Sequence, residues 1–350
     1  TTAHRDKDDF VPAYLQLLSS DALADRVSAA FRHLEDCDLC PRYCRINRRR
    51  SVKGAVCRTG ERAVVHSYGA HHGEEDPLRG WKGSGTIFFS WCNLRCVYCQ
   101  NWEISQKGIG EEVTAERLAA IMIELQAQGC HNINLVSPSH VVAQIVAAVD
   151  IAARRGLRLP LVYNTGGYDS LEALQLLDGV VDIYMPDMKY GDSKLARQYS
   201  KVRDYVAVNF AAVKEMHRQV GDLQLDAHGI ALRGLLVRHL VLPEHISGTD
   251  KVLAFLAKEV STNTYLNLME ALIADYPSVQ FVFMTGHLDG SGENGTLNTA
   301  NEHIRNHCLS NGRILYDFAD IESWDPDGQT NYMLLGANDN CDYDSDGNGT

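Results

Sequence analysis

Cys92, Cys96 and Cys99 stand four and then three residues apart on a stretch that follows an apolar run at residues 86–90. Such spacing lets three thiolates turn toward one point without the chain crossing itself. A mononuclear structural zinc wants a fourth ligand and a simple ferredoxin-type cluster wants four thiolates, so a three-thiolate loop leaves one position of a soft metal centre open. A second group, Cys37, Cys40, Cys44 and Cys57, offers four thiolates, with Pro41 and Gly54 allowing tight turns. Four sulfurs close a tetrahedral shell, and zinc and an auxiliary iron–sulfur cluster both satisfy that set. Arg42, Arg45, Arg48, Arg49 and Arg50 lie among these cysteines. Their charge favours thiolate over thiol and offsets the charge of a four-sulfur site. The same run also fits nucleic acid, but beside Asp36 and Asp38 it reads as solvated surface or charge compensation.

The elements that must position these groups are short β-rich runs at 86–90, 132–136, 159–164, 181–185, 235–242 and 265–268. Amphipathic stretches separate them. Thr114 can cap a helix carrying Leu118, Ile121, Met122 and Leu125 that Gly129 ends, and Ser170 opens another that Gly179 closes. Strict alternation predicts right-handed βαβ units, a parallel sheet with helices outside, and with six units a full or partial barrel. Functional loops of such a sheet lie at the carboxyl ends of its strands. Those loops hold the thiols at 92–99, Ser137 to His140, Thr165 to Tyr168, Pro186 to Lys189, and Arg238 with His239.

Composition bounds the alternatives. The chain has 350 residues, 45% hydrophobic and 22% charged, which excludes a disordered tail, a collagen or a coiled-coil rod. The longest apolar candidate, Val141 to Ala153, is interrupted by Gln144 and Asp150, too short for a membrane span, and the first ten residues hold charges where a signal core would be apolar. A cytoplasmic protein is expected. Residues 271–350 carry 13 acids against Arg305 and Arg313, so they hold −11 of the net charge of −12. The pattern divides the chain into an N-terminal helical and cysteine-rich segment (1–80), an α/β core (81–269) and an acidic extension (270–350).

The motif Cys92-x-x-x-Cys96-x-x-Cys99, with Tyr98 before its last cysteine, resembles the signature of radical S-adenosylmethionine enzymes. Further segments are similar to one branch, the uncharacterised group related to pyruvate formate-lyase activating enzyme: Gly83 to Ser90, Tyr98 to Asn101, Tyr163 to Tyr168, Asp182 to Tyr190, residues 234–243 and 265–269. The resemblance runs from about residue 30 to 269. It implies a partial parallel (β/α)6 TIM-type barrel. It implies also a 4Fe-4S cluster on Cys92, Cys96 and Cys99 whose open iron chelates S-adenosylmethionine, and one-electron cleavage to a 5'-deoxyadenosyl radical that abstracts hydrogen. An electron donor protein is implied as partner, with a glycyl radical enzyme as target; modification of another peptide or a small molecule is the competing use. A non-catalytic zinc-binding module, its loop borrowing a ligand from His140 or the N-terminal cysteines, is the reading from another class.

The superfamily's usual Gly-Gly-Glu-Pro segment after strand two is absent, and Ser137-Pro138-Ser139-His140 stands in its place. Ser137, Ser139, His140, Tyr98, Asn101, Asn164, Thr165, Asp187, Lys189 and His239 are therefore the expected contacts for S-adenosylmethionine or substrate, since a sulfonium ligand with a carboxylate needs both acceptors and donors around it. Beyond Met269 the resemblance stops. The stretch from Asp275 to Gly290 and that from Ile314 to Ile321 faintly resemble SGNH-type hydrolases, without the Gly-Asp-Ser nucleophile block. Asp342, Asp344, Asp346 and Gly347 begin a calcium-loop pattern that has no closing acid, so a disordered acidic terminus, native or fused, is expected.

Overall fold

The computed structural model describes residues 10–240, 246–267, 282–284, 305 and 314–316. The chain separates into two units, Thr1–Leu268 and Met269–Thr350. In the first, six parallel strands run side by side: β2 (Ser84–Phe89), β4 (Ile133–Val136), β5 (Leu161–Thr165), β6 (Ile183–Pro186), β8 (Ala231–Arg238) and β9 (Tyr265–Asn267). All six fall on the β-rich runs expected from sequence. The fifth begins four residues early and ends at Arg238; the expected tail at 241–242, like residue 268, lies outside the described residues.

A hairpin-like pair extends the β2 edge: β1 (Ala63–His71) runs antiparallel to β2, and the three-residue β3 (Glu111–Val113) antiparallel to β1. A short β7 (Gln224–Leu225) pairs antiparallel with β8. Among the described residues the sheet is mixed and parallel-rich, and no pairing there joins its two ends into a barrel.

Capping chemistry sets the helices between the strands. Thr114 accepts from the Arg117 amide to start α4 (Ala115–Ala127), and Ser170 accepts from the Ala173 amide to start α6 (Leu171–Leu177). Gly129 and Gly179 take positive φ just past their ends. With α5 (Val142–Arg154), these helices cover one face of the sheet, where Ile87, Ile133, Leu135, Tyr163, Tyr184 and Leu235 join the main core. The N-terminal helices α1 (Ala13–Ser19) and α2 (Ala22–Arg32) share that core through Tyr14, Leu23 and Ala30.

Period-two alternation turns Val162, Ile183, Met185 and Leu236 to the other face. There Leu78, from the short helix α3 (Asp76–Arg79) that follows β1, packs against them. The segment between β1 and β2 thus crosses the inner face of the sheet. Among the described residues no helix is long and apolar enough to cross a membrane. In the second unit, β10 (Val282–Met284) and β11 (Ile314–Tyr316) pair in parallel. The calcium-loop pattern and acidic end lie outside the described residues.

Asp182 ties the first unit together: its buried carboxylate accepts from the Ala13 amide at 2.8 Å and the Leu161 amide at 3.1 Å. Asp182→Ala leaves both donors without a partner and is expected to cost about 2 kcal/mol at pH 5. Burial raises this carboxyl to about 7. Its titration therefore favours the folded state at acid pH and loses that advantage as pH rises through about 7, so the deficit of Asp182→Ala shrinks between pH 5 and pH 8. Urea unfolding of both proteins at the two pH values checks it; an equal deficit at both would contradict the assignment.

Candidate active-site cleft

At the carboxyl ends of the parallel strands opens a cleft of about 710 Å³. Its wall carries all three thiols, Cys92, Cys96 and Cys99, together with Tyr98, Asn101, Ser137, Asn164, Thr165, Asp187, Lys189 and His239. Eleven of the thirteen residues expected around this loop thus share one cavity.

The thiol loop is fixed by its backbone and flanks. The Arg95 amide donates to Ser200 O at 3.1 Å and that of Val97 to Tyr199 O at 2.9 Å, both at the end of α7 (Ser193–Ser200). Asn93 Nδ2 donates to Tyr168 O at 2.6 Å, which binds the loop to the turn after β5. Each sulfur has a polar neighbour: Cys92 Sγ accepts from the Leu94 amide at 3.4 Å, Cys96 Sγ lies 3.0 Å from Ser200 Oγ, and Cys99 Sγ 3.2 Å from Ser105 Oγ. Ser200 is held in turn by Tyr190 at 2.7 Å, whose hydroxyl also meets that of Tyr98. Burial pushes the Cys92 thiol up to about 12 and raises that of Cys96, against the pull of Lys189 and Ser200 on the latter. Bare thiolates are disfavoured here, so charge from a bound metal is what would hold them ionised.

Opposite the loop, Asp187 at the end of β6 is the electrostatic centre. Lys189 Nζ donates to its Oδ2 at 2.6 Å and Arg238 Nε to its Oδ1 at 2.9 Å. The two cations hold its carboxyl below the usual range against the cost of burial. Arg238 also donates through Nη2 to Asn164 Oδ1 at 2.8 Å. His239 has both ring nitrogens engaged, one at Met188 O and the other at Thr249 Oγ1.

Ser139 and His140 are not on the cleft wall. Ser137 takes a left-handed φ of 59° and starts a single 3-10 turn, Pro138–His140, that carries the next side chains behind the sheet end. Ser139 Oγ meets Thr165 Oγ1 at 2.9 Å, beside a buried Asp169 that accepts from both Thr165 and Tyr163. His140, pushed down to about 3 by burial and therefore neutral, donates Nε2–H to Ser90 O at 3.0 Å. Both brace the strand ends. The sequence reading missed His71, the last residue of β1, and Glu74 and Glu75 in the segment after it, which line the cleft; the only local signal was a Gly73-Glu74-Glu75 run before Pro77.

The N-terminal cysteines sit beside this loop. Cys37, Cys40 and Cys57 are buried and Cys44 is half-buried. Burial raises the Cys40 thiol, and the charges of Cys57, Cys37 and Cys44 raise it further, which places all four in one neighbourhood. Of the five arginines, Arg48 is the one against a sulfur, 3.6 Å from Cys37 Sγ, while donating to Thr59 O and His140 O. Arg45 and Arg49 turn to acids, and Arg42 Nε donates to Asn93 O at 2.7 Å. Arg95 Nη2 returns the contact to Val56 O at 2.7 Å. Among the described residues no three His, Cys, Asp or Glu side chains converge on a single-ion point. Thiolates that bind separate irons of a cluster have no need to.

Residues 86–239 match the Radical SAM superfamily. The chain is 28% identical over 285 residues, 79% of its length, to an uncharacterised protein of Methanocaldococcus jannaschii, of which it covers 77%. Among solved structures it is similar to Streptococcus suis SuiB, with 11% identity over 65% of this chain and a TM-score of 0.36. SuiB bound to S-adenosylmethionine gives 10% identity, 66% of this chain and a TM-score of 0.36. The chain spans about half the length of those structures, 46% and 51%.

Proposed function

We propose that this protein is a radical S-adenosylmethionine enzyme whose cleft holds a 4Fe-4S cluster through Cys92, Cys96 and Cys99. The observation that carries the reading is the cleft itself: three thiols and, among the described residues, no fourth on its wall, with Asp187, Lys189 and Arg238 as its charged groups, on a stretch that matches the superfamily. The donor set fits the group, because three thiolates leave one iron for a chelating ligand. When bound, the cluster supplies the single electron that splits the sulfonium's C–S bond.

The chain's own residues do the rest. Lys189 and Arg238 bring positive charge toward the ligand's carboxylate, and Asp187 fixes both. Asn164, Thr165 and Ser137 offer hydroxyl and amide contacts, and Tyr98 and Asn101 frame the third thiol. The cleft volume of about 710 Å³ lies in the range of cofactor pockets. Cys37, Cys40, Cys44 and Cys57 gather as a second site packed against the first loop; as they stand they suit an auxiliary cluster, whereas a single zinc would require the four sulfurs to draw together onto one point. By the resemblance of its motifs the enzyme takes electrons from a donor protein and acts on a glycyl radical enzyme, in the cytoplasm.

Anaerobic reconstitution with iron and sulfide tests the reading. The expected product is brown, contains both elements, and gives a reduced electron paramagnetic resonance spectrum that changes when S-adenosylmethionine is added. A colourless protein holding zinc alone would refute it.

A further inference from the structure

Cys96 lies in an apolar pocket with Leu94, Tyr168, Ala196, Val202 and Tyr205 around it. Three hydroxyls enter that pocket, joined in series to the sulfur. Ser200 Oγ lies 3.0 Å from Cys96 Sγ, Tyr190 Oη lies 2.7 Å from Ser200 Oγ, and the Tyr98 hydroxyl meets that of Tyr190. Tyr190 and Ser200 are fully buried, whereas Tyr98 reaches the cleft wall. The spacing is fixed from both sides. The Arg95 and Val97 amides, which flank Cys96, donate to Ser200 O and Tyr199 O, so backbone bonds hold the sulfur and the serine together. The Tyr190 ring sits edge-on to that of Tyr205, with centroids 5.4 Å apart, and the Tyr205 hydroxyl is tied to Gly166 O and Asp187 O.

A series of hydroxyls has a direction, because each carries one proton. A sulfur that binds metal has lost its proton and only accepts. Ser200 then donates to Cys96, which obliges Tyr190 to donate to Ser200 and Tyr98 to donate to Tyr190. Every O–H in the series points toward the sulfur, and hydrogen bonds aligned head to tail in an apolar pocket reinforce one another.

We infer that Ser200, backed by Tyr190 and Tyr98, is the positioning residue that raises the reduction potential of the centre held at Cys96. The inference rests on the proposed function for the presence of that centre. An added electron makes the ligating sulfurs more negative, and a hydrogen bond donated to a more negative sulfur is stronger, so the reduced form gains more from Ser200 than the oxidised form does. Loss of the donor therefore lowers the potential.

The test is a redox titration of the full chain, reconstituted anaerobically with iron and sulfide and followed by electron paramagnetic resonance. At a given applied potential, Ser200→Ala is expected to lower the ratio of reduced to oxidised centre about 10-fold, which for a one-electron couple is about 59 mV. Tyr190→Phe leaves the serine in place but removes the group that polarises it, and should lower the same ratio about 3-fold. Ser200→Thr keeps a hydroxyl at the sulfur and should restore the original potential. Tyr199→Phe, on the neighbouring residue of α7 but outside the series, should leave it unchanged. A merely structural role would alter iron content without moving the potential of the centres that form. If Ser200→Ala takes up no iron, Tyr190→Phe decides alone. A centre whose potential is unmoved or raised by these substitutions overturns the inference and leaves the proposed function standing. No iron–sulfur centre in the unsubstituted protein overturns both.

Discussion

Cys96→Ala is expected to reduce S-adenosylmethionine cleavage under dithionite to background, with loss of the brown chromophore on reconstitution. The loss should exceed the roughly 10–100-fold that removal of an outer hydrogen-bond partner costs a metal site, because a ligand itself is gone. Cys96 is the most buried of the three thiols and sits at the end of the Tyr98–Tyr190–Ser200 chain, so its removal leaves the surrounding fold intact but breaks the donor set. Quantifying 5'-deoxyadenosine by chromatography, with circular dichroism to confirm folding, gives the result. A variant that still cleaves at an appreciable rate removes the thiol loop from the mechanism.

The largest expected effect on stability comes from Gly167→Ala. Gly167 has φ of 74°, and a methyl group there would run into the Asp187 carbonyl and the Asn209 amide. Those two groups cannot yield cheaply. Asn209 on α8 (Tyr205–Val220) donates to Gly167 O at 2.8 Å and to Asp187 O at 3.0 Å, and Tyr205 bridges Gly166 O and Asp187 O at 2.9 and 3.0 Å. Backbone strain and overpacking together should cost about 3 kcal/mol or more, a fall of roughly 5–10 °C in Tm. Gly156→Ala, at φ of 97° with open space around it, isolates the backbone cost alone and should lower Tm less. Equal losses at the two positions would mean that the contact at Asp187 contributes nothing.

The parallel strands and the thiol loop were legible in the amino-acid order because both signals are local. The fully buried β6 is a continuous apolar run, β5 is apolar from Leu161 to Tyr163 before its functional Asn164 and Thr165, and the cysteines lie within eight residues of one another. The added β1 and β3 were not legible: beyond Val65 no residue of β1 is buried, so most of its length shows no apolar alternation, and β3 is too short to show any. The placing of Ser139 and His140 turned on one left-handed residue, Ser137, a conformation that serine rarely adopts and that no composition rule signals. Glu74 and Glu75 reach the cleft because Leu78 anchors their segment across the sheet, a tertiary event between residues far apart in the chain. The arginines among the first cysteines read as a common counter-charge, yet only Arg48 approaches a sulfur, since acids and carbonyls nearby compete for the others.

The outermost strand of the sheet, Glu111–Val113, is three residues long and begins with two exposed glutamates. An unpaired strand offers its amides and carbonyls to any other chain, and brevity with like charges is a recognised way to refuse the offer. The apolar β2 beside the thiols is thus separated from the open edge by a border that repels its own kind, which guards the protein against edge-to-edge stacking into fibrils.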